Sequence, residues 1–243
     1  SQIMLEGPES DLTLTQNTQP AILTYSIGLF QKAKEILDEA GVEIDAVLGH
    51  SVGEYPALVA AGALTFEDAL KSVHNRGKYM QAAVPAGMGK MYAILRIPAD
   101  IVEQACKESS TQDCEVMPAN FNEPGQIVIS GHAQACDKAV AWLTENYKEP
   151  HKTVELKVSA PFHSSLMKPA RENMAQFFND ITFSKTTIPY IANIDARKYQ
   201  VGTEGEVVKD NLIKQIDGSV LWTQSFESLD DDTICIEVGP GRV

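Results

Sequence analysis

Cysteine is scarce in this chain of 243 residues. Cys106, Cys114, Cys136 and Cys235 include no C-x-x-C pair, which argues against a zinc site and against a dithiol redox centre. Scattered cysteines in a chain of this size are typical of buried thiols in a reducing compartment. We therefore expect no bound metal and a cytoplasmic location.

Basic residues and long apolar runs are also few. The 20 Lys and Arg residues are outnumbered by 33 Asp and Glu residues, which gives a formal net charge of −13. Because nucleic acids and anionic membranes bind clustered positive charge, this balance argues against both as partners. The longest uncharged apolar stretch, residues 55–64, has ten residues, which is about half of a membrane span. The first residues lack the basic and apolar regions of a secretory signal, so we expect none.

Hydrophobic periodicity is plentiful by contrast, and it predicts an α/β protein. Short apolar runs typical of buried parallel strands occur at residues 44–48, 188–192 and 233–238. Helical spacing with start and stop signals predicts helices at residues 20–40, 54–61, 65–83, 165–178, 206–216 and 222–229.

The middle of the chain has a different pattern. Residues 88–158 predict strand, helix, strand, strand, helix and strand, which is the ferredoxin-like order. We therefore predict two domains. A large α/β domain with a parallel core sheet comprises residues 1–87 and 159–243, and a small ferredoxin-like domain, residues 88–158, is inserted into it.

A G-x-S-x-G motif, Gly49-His50-Ser51-Val52-Gly53, lies between a predicted strand and a predicted helix. A sharp strand-to-helix turn exposes the serine hydroxyl, as in α/β-hydrolase-like folds, and the Val52 amide would face the same oxygen as the helix N-terminus. Both features favour a developing oxyanion. A glycine-rich turn without catalytic function is the alternative, and the strand–turn–helix context counts against it.

A nucleophilic serine needs a base, and His163 is the best candidate among the five histidines. It follows Pro161 in a bend where the large domain resumes, and loops at such junctions often carry function. The other histidines fall in a helix, at the borders of the small domain, or in the turn of the serine itself: His74, His132, His151 and His50. The residues alone leave open that His163 is a packed loop histidine.

Six segments, in order, resemble motifs of the malonyl-CoA:acyl carrier protein transacylases of bacterial fatty-acid synthesis. They are GHSVGEY at 49–55, RGKYMQ at 76–81, NFNEPGQ at 120–126, PFHSSLM at 161–167, KQ at 214–215 and EVGPG at 237–241. The resemblance covers essentially the whole chain. It implies an α/β-hydrolase-like large domain and an acyl transferase that takes malonyl-CoA as substrate and an acyl carrier protein as partner. No bound cofactor is implied, because phosphopantetheine is carried by the acceptor protein.

The resemblance also implies roles for individual residues. Ser51 would form a malonyl ester with His163 as its base, and the thiol of the carrier protein would then take the malonyl group, giving ping-pong kinetics. Arg76 would grip the free malonyl carboxylate with a guanidinium fork, although a surface arginine on its helix is the plainer reading. Gln215 would orient His163 through a backbone carbonyl, with a solvated helix residue as the alternative.

Three further residues match the family's substrate channel. Phe162 matches a bulky position associated with malonyl over methylmalonyl selection, and a core aromatic is the alternative. Asn120 and Asn122 would line the acyl or pantetheine channel, although asparagine is common in turns for backbone reasons alone. The residues do not distinguish fatty-acid from polyketide assembly.

The sequence departs from the family at both ends. The family's N-terminal strand and Gly-Gln-Gly-Ser-Gln loop, whose glutamine supplies a second oxyanion donor, have no match, and neither does the C-terminal helix. We therefore expect this chain to be part of a longer polypeptide. A catalytically impaired fragment that docks a carrier protein through a basic surface is one alternative; its candidate residues are Lys78, Lys168, Arg171, Arg197 and Lys198.

A serine thioesterase or esterase is the other alternative. It needs an acidic partner for its histidine, and the aspartates Asp100, Asp113 and Asp137 all fall within the predicted small domain. That placement counts against it.

Overall fold

The computed structural model describes residues 2–240. The first third of the chain is helical, and its helices are α1 (Gln2–Glu6), α2 (Glu9–Leu12), α3 (Thr15–Glu39), α4 (Glu54–Ala60) and α5 (Phe66–Ala82). Helix α3 begins five residues before the predicted start at Pro20 and contains that proline. A proline inside a helix removes one backbone donor and crowds the carbonyl four residues earlier, and α3 continues through Pro20 despite this cost.

Helix α5 confirms its predicted start. The Thr65 hydroxyl accepts a hydrogen bond from the Asp68 amide at 3.0 Å and satisfies one of the free donors of the first turn. Ala69, Val73 and Met80 are buried on one face of the helix, and Arg76 lies on this same buried face. The position of Arg76 in the core therefore follows from the helical repeat.

The middle of the chain confirms the predicted element order. Its elements are β1 (Gly89–Leu95), α6 (Ala99–Ser109), β2 (Val116–Glu123), β3 (Gln126–His132), α7 (Ala133–Asn146) and β4 (Lys152–Glu155). The strands form one antiparallel sheet in the order β2-β3-β1-β4. Ile94, Ile127 and Ile129 of the sheet share a core with Val102 of α6 and Leu143 of α7.

A second core is formed by helices that come before and after this segment in the sequence. The remaining elements are α8 (Lys168–Phe177), β5 (Tyr190–Ile191), β6 (Lys198–Tyr199), α9 (Gly205–Gln215) and α10 (Trp222–Glu227). Leu23 of α3, Met80 of α5 and Leu212 of α9 pack in this core together with Tyr55 and Phe178. The molecule is thus an α/β fold with mixed strand pairing.

Within the described residues, the predicted parallel core sheet is reduced to one bridge between residues 44–48 and 188–192. Val47 makes a single parallel bridge with Tyr190, and β5 pairs antiparallel with β6. Residues 233–238 form no strand, and Ile234 and Ile236 are 88% and 57% exposed. An apolar run is compatible with a strand, but the strand forms only where a neighbouring segment completes the ladder of hydrogen bonds.

The cysteines are all free thiols, but only Cys106 and Cys136 are buried. Cys114 is half-buried and Cys235 is exposed, so the expectation of buried thiols is wrong for Cys235. Within residues 2–240, no helix is both long and apolar enough to cross a membrane. Nor do the histidine, cysteine and acidic side chains of this range gather in a group that could hold a metal ion.

Candidate active site

The turn that carries Ser51 is tightly held. Ser51 opens a short 3-10 turn before α4 and has a φ of +51°, in the left-handed region that is unfavourable for residues other than glycine. The side chain of Asn193 fixes the turn from both sides. Its Oδ1 accepts from the Ser51 amide at 2.7 Å, and its Nδ2 donates to the Gly49 carbonyl at 2.9 Å. These bonds hold the serine in its strained conformation.

The turn requires a glycine at position 49, because the backbone of Gly53 passes close to it. A Cβ at Gly49 would lie 1.9 Å from the Gly53 carbonyl oxygen. Gly49→Ala is therefore expected to lower the free energy of unfolding by about 2 kcal/mol or more. Gly53→Ala is the matched control, because a Cβ there meets nothing within 4 Å. Urea denaturation compares the two variants, and equal stability would contradict this account of the turn.

His163 and Ser51 are in direct contact. His163 Nε2 lies 2.7 Å from Ser51 Oγ. On the other side of the ring, Nδ1 lies 2.9 Å from the Gln215 carbonyl oxygen and 3.2 Å from that of Gly218. Carbonyl oxygens only accept, so the proton resides on Nδ1, and Nε2 presents its lone pair to the serine hydroxyl. The predicted acceptor at Gln215 is in place.

The electrostatic surroundings keep His163 neutral. The ring is 3% exposed. Burial, together with the nearby Arg76 cation, lowers the pKa of His163 to about 3. At neutral pH the imidazole is therefore uncharged and able to accept a proton. Its partners on the Nδ1 side are backbone carbonyls, so no carboxylate of residues 2–240 takes the place of an acidic third member of a triad.

Arg76 lies in the same cluster, and the reading of it as a surface arginine is wrong. It is 2% exposed. Nη1 donates to Gln19 Oε1 at 2.7 Å, and Nη2 donates to Gln215 Oε1 at 2.9 Å and to Ser51 Oγ at 3.0 Å. The guanidinium also lies 5.7 Å from the centre of the Tyr55 ring. Within residues 2–240, its buried Nε has no hydrogen-bond partner.

Glu54 is a buried acidic residue beside this cluster. Its Oε2 accepts from Gln215 Nε2 at 2.6 Å and from the backbone N–H of Asn193 at 3.4 Å. Oε1 is buried and has no hydrogen-bond partner within the described residues. Burial raises the pKa of Glu54 to about 7, and the hydrogen bond from Gln215 opposes that rise.

The other predicted site residues lie around Ser51 and His163 without a hydrogen bond to either side chain in the described residues. Val52 follows Ser51 in the 3-10 turn and packs against the helical core. Phe162 is partly buried and contacts both the helical core and the small cluster of Met91, Ala119 and Val128 under the sheet. It therefore lies between the helical core and this small cluster, directly before His163.

The two asparagines of β2 differ in their surroundings. Asn122 Oδ1 lies 2.8 Å from His50 Nε2, which brings it next to the nucleophile turn. Asn120 is buried, and it forms an isolated parallel bridge with Val220. The hydrogen bonds of Ser51 Oγ and of the His163 ring within residues 2–240 do not include the Asn120 side chain.

Sequence reasoning missed four contributors to the cluster: Gln19, Glu54, Asn193 and Gly218. Asn193 follows directly after the predicted strand 188–192, and the end of a strand next to the serine strand is a place where such a residue could have been sought. Glu54 adjoins the motif in the first turn of α4. Gln19 carries no local signal, because its bond to Arg76 spans 57 positions.

A serine hydroxyl bonded to a neutral imidazole, on an α/β fold, is the arrangement of enzymes that pass acyl groups through a serine ester. The sequence profile described as "Acyl transferase domain" matches residues 1–240. This chain belongs to the acyl transferase family.

Named relatives narrow the comparison. The chain is 42% identical over 245 residues to the malonyl CoA-acyl carrier protein transacylase of Bacillus subtilis, covering 100% of this chain and 74% of that protein. It matches the crystal structure of MCAT from Streptococcus pneumoniae with a TM-score of 0.88 and 40% identity, over 99% of this chain and 76% of that one.

A third similarity is to a complex. It is described as a type II PKS acyl-carrier protein with its malonyl-transacylase, PlMCAT:AntF. The TM-score is 0.83 at 36% identity, and the match covers 93% of this chain and 70% of that chain.

Proposed function

We propose that this protein transfers a malonyl group from coenzyme A to the phosphopantetheine thiol of an acyl carrier protein, in fatty-acid synthesis. One observation carries the proposal: Ser51 Oγ lies 2.7 Å from His163 Nε2 and 3.0 Å from Arg76 Nη2. A base and a fixed cation therefore meet at one hydroxyl. The names of the similar proteins, malonyl transacylases acting with acyl carrier proteins, support the same reaction.

The first half-reaction makes the acyl-enzyme. Ser51 Oγ attacks the thioester carbon while its proton moves to His163 Nε2. The Gln215 and Gly218 carbonyls face Nδ1–H and stabilise the imidazolium that forms. The carbon–sulfur bond then breaks, and coenzyme A leaves as a thiol with the proton that His163 returns.

The second half-reaction reverses these steps with a different thiol. The phosphopantetheine thiol gives its proton to His163 Nε2 and attacks the ester carbon. The bond to Ser51 Oγ breaks, and the serine recovers the proton from His163. Neither half-reaction requires a metal or a bound cofactor.

Arg76 supplies the preference for malonyl. A malonyl group on Ser51 ends in a carboxylate only a few covalent bonds from the serine oxygen, and Arg76 Nη2 already lies 3.0 Å from that oxygen. A guanidinium held away from water binds a carboxylate through charge-assisted hydrogen bonds that an acetyl group cannot form.

The other predicted residues have supporting roles in this proposal. The Val52 amide donates to the oxyanion, and the Gln215 carbonyl orients His163. Phe162 restricts the acyl pocket beside His163. Asn120 and Asn122 line the channel on the side of the sheet, a role supported for Asn122 by its bond to His50.

We also propose the two-domain division, with residues 88–158 inserted between 1–87 and 159–243. Its support is the separation of the cores: one is built from residues on both sides of the insert, and the other from residues 92–147 with Leu221 packed against it. A cytoplasmic location is proposed as well, because four free thiols suit a reducing compartment.

The test measures release of coenzyme A from malonyl-CoA with three additions: holo carrier protein, apo carrier protein, and none. Sustained release with the holo form alone, and malonyl on its thiol, is the expected result. The apo form is the matched control because it lacks only the phosphopantetheine. Sustained release without any carrier protein would make the chain a thioesterase, and binding of carrier protein without any acylation would make it a docking fragment.

A further inference from the structure

Gln215 presents its side-chain amide in one orientation to four groups, the most distant of which is Asn193 Oδ1, 3.5 Å from Nε2. Its Nε2 donates to Glu54 Oε2 at 2.6 Å and to the Ser51 carbonyl oxygen at 2.9 Å. Its Oε1 accepts from Arg76 Nη2 at 2.9 Å. Turning the amide over would place its NH₂ group against the guanidinium and its oxygen against a carboxylate and a carbonyl. The neighbours therefore permit one orientation.

Glu54 is the strongest of the acceptors that fix this orientation. A carboxylate accepts a stronger hydrogen bond than a backbone carbonyl, and the contact from Gln215 Nε2 to Glu54 is also the shorter of the two. Glu54 is 1% exposed and Gln215 is fully buried, so water does not compete for the bond. The backbone N–H of Asn193 donates to the same carboxylate oxygen at 3.4 Å.

The consequence reaches Arg76. Its guanidinium is held between two amide oxygens, Gln19 Oε1 on Nη1 and Gln215 Oε1 on Nη2. The Gln215 contact shares Nη2 with Ser51 Oγ, so the position of that amide decides where the malonyl-facing nitrogen points. Among residues 2–240, Glu54 makes no hydrogen bond to Arg76 or to Ser51 Oγ, and its only direct interaction with Arg76 is between their charges.

We propose that Glu54 is a positioning residue for malonyl selection: its carboxylate oxygen locks the Gln215 amide, and the locked amide aims Arg76 at the acyl group on Ser51. This inference rests on the proposed function. In this role Glu54 supplies a hydrogen-bond acceptor at a fixed position for Gln215 Nε2. Its negative charge is not required for malonyl selection.

Two variants separate the place of the acceptor from its charge. Glu54→Gln keeps an oxygen where Gln215 needs it and removes the charge, whereas Glu54→Asp keeps the charge and withdraws the oxygen by one methylene. For Glu54→Asp we expect the KM for malonyl-CoA to rise about tenfold, with kcat lowered by less than about threefold. Acylation by acetyl-CoA should stay the same, because acetyl has no carboxylate for Arg76 to bind.

Glu54→Gln should keep the malonyl preference within about twofold of the wild type, since Gln215 retains its acceptor. The assays are run at about pH 8, above the pKa of about 7 to which burial raises Glu54, so that the wild-type carboxylate is mostly ionised. A preference lost in Glu54→Gln and kept in Glu54→Asp would overturn the proposal in favour of charge. Equal losses with malonyl and acetyl in Glu54→Asp would overturn it in favour of general structural support.

A second comparison tests whether Glu54 acts through Gln215. In a Gln215→Met background, which keeps the backbone carbonyl facing His163, adding Glu54→Asp should not weaken malonyl binding further. A further tenfold weakening of malonyl binding in the double variant would contradict an action of Glu54 through Gln215. If Glu54→Asp does not fold, as judged by circular dichroism, Glu54→Met takes its place with the same expectation. Acylation of the wild type by malonyl-CoA is measured alongside. If the wild type is not acylated, that result counts against the proposed function and not against the role of Glu54.

Discussion

His163→Ala is expected to slow acylation of Ser51 by malonyl-CoA about a thousandfold, within the range that general base catalysis contributes. Without the imidazole, no group of suitable basicity remains at 2.7 Å from Ser51 Oγ in residues 2–240. Arg76 would still contact that oxygen, but a guanidinium does not accept a proton. The measurement is single-turnover release of coenzyme A after rapid mixing.

His151→Ala is the matched control for this experiment. His151 bonds to the Glu149 carbonyl and packs edge-on against Tyr147, near the start of β4, so its loss should leave the acylation rate unchanged. Circular dichroism confirms that both variants are folded. An acylation rate in His163→Ala close to that of the wild type would remove His163 from its role as base.

Arg76→Ala is expected to lower kcat/KM for malonyl-CoA about a hundredfold or more, the usual consequence of truncating one partner of a desolvated charge pair. Acetyl-CoA should react as well as before or better, because the variant no longer holds an unpaired buried cation beside the acyl group. The ratio of the two kcat/KM values therefore moves toward acetyl. Competition between the two thioesters for one enzyme sample measures that ratio directly.

Lys78→Ala provides the control for loss of a positive charge from the same helix. Lys78 is exposed on α5, two residues from Arg76, so the ratio should stay at its wild-type value. An unchanged malonyl preference in Arg76→Ala would exclude Arg76 as the group that binds the carboxylate. An equal fall of kcat/KM for malonyl-CoA and acetyl-CoA would point to a general disturbance of the turn at Ser51.

The sequence predicted well those features that local patterns determine. The Thr65 cap and the apolar repeat predicted α5, although the burial of Arg76 on its inner face was not read from that repeat. The alternation and turns of residues 88–158 predicted the order of strands and helices in the antiparallel sheet. The adjacency of Ser51 and His163 came from the family resemblance, and the structure places them in contact.

Features that depend on distant partners were not predictable in the same way. Residues 44–48 have the composition of a strand, but Val47 has only Tyr190 as a bridging partner within the described residues. The resemblance assigned Gln215 a backbone role, whereas its side chain also joins Glu54 to Arg76 across 161 and 139 positions. No periodicity encodes such contacts, because they arise only when separate helices pack together.

The most direct test of the central claim is peptide mass spectrometry of the chain after incubation with malonyl-CoA alone. We expect one malonyl group, located on the peptide that contains Ser51, and its removal when holo carrier protein is added. Ser51→Ala should carry none. A malonyl group on another residue, or equal labelling of Ser51→Ala and the wild type, would contradict the account.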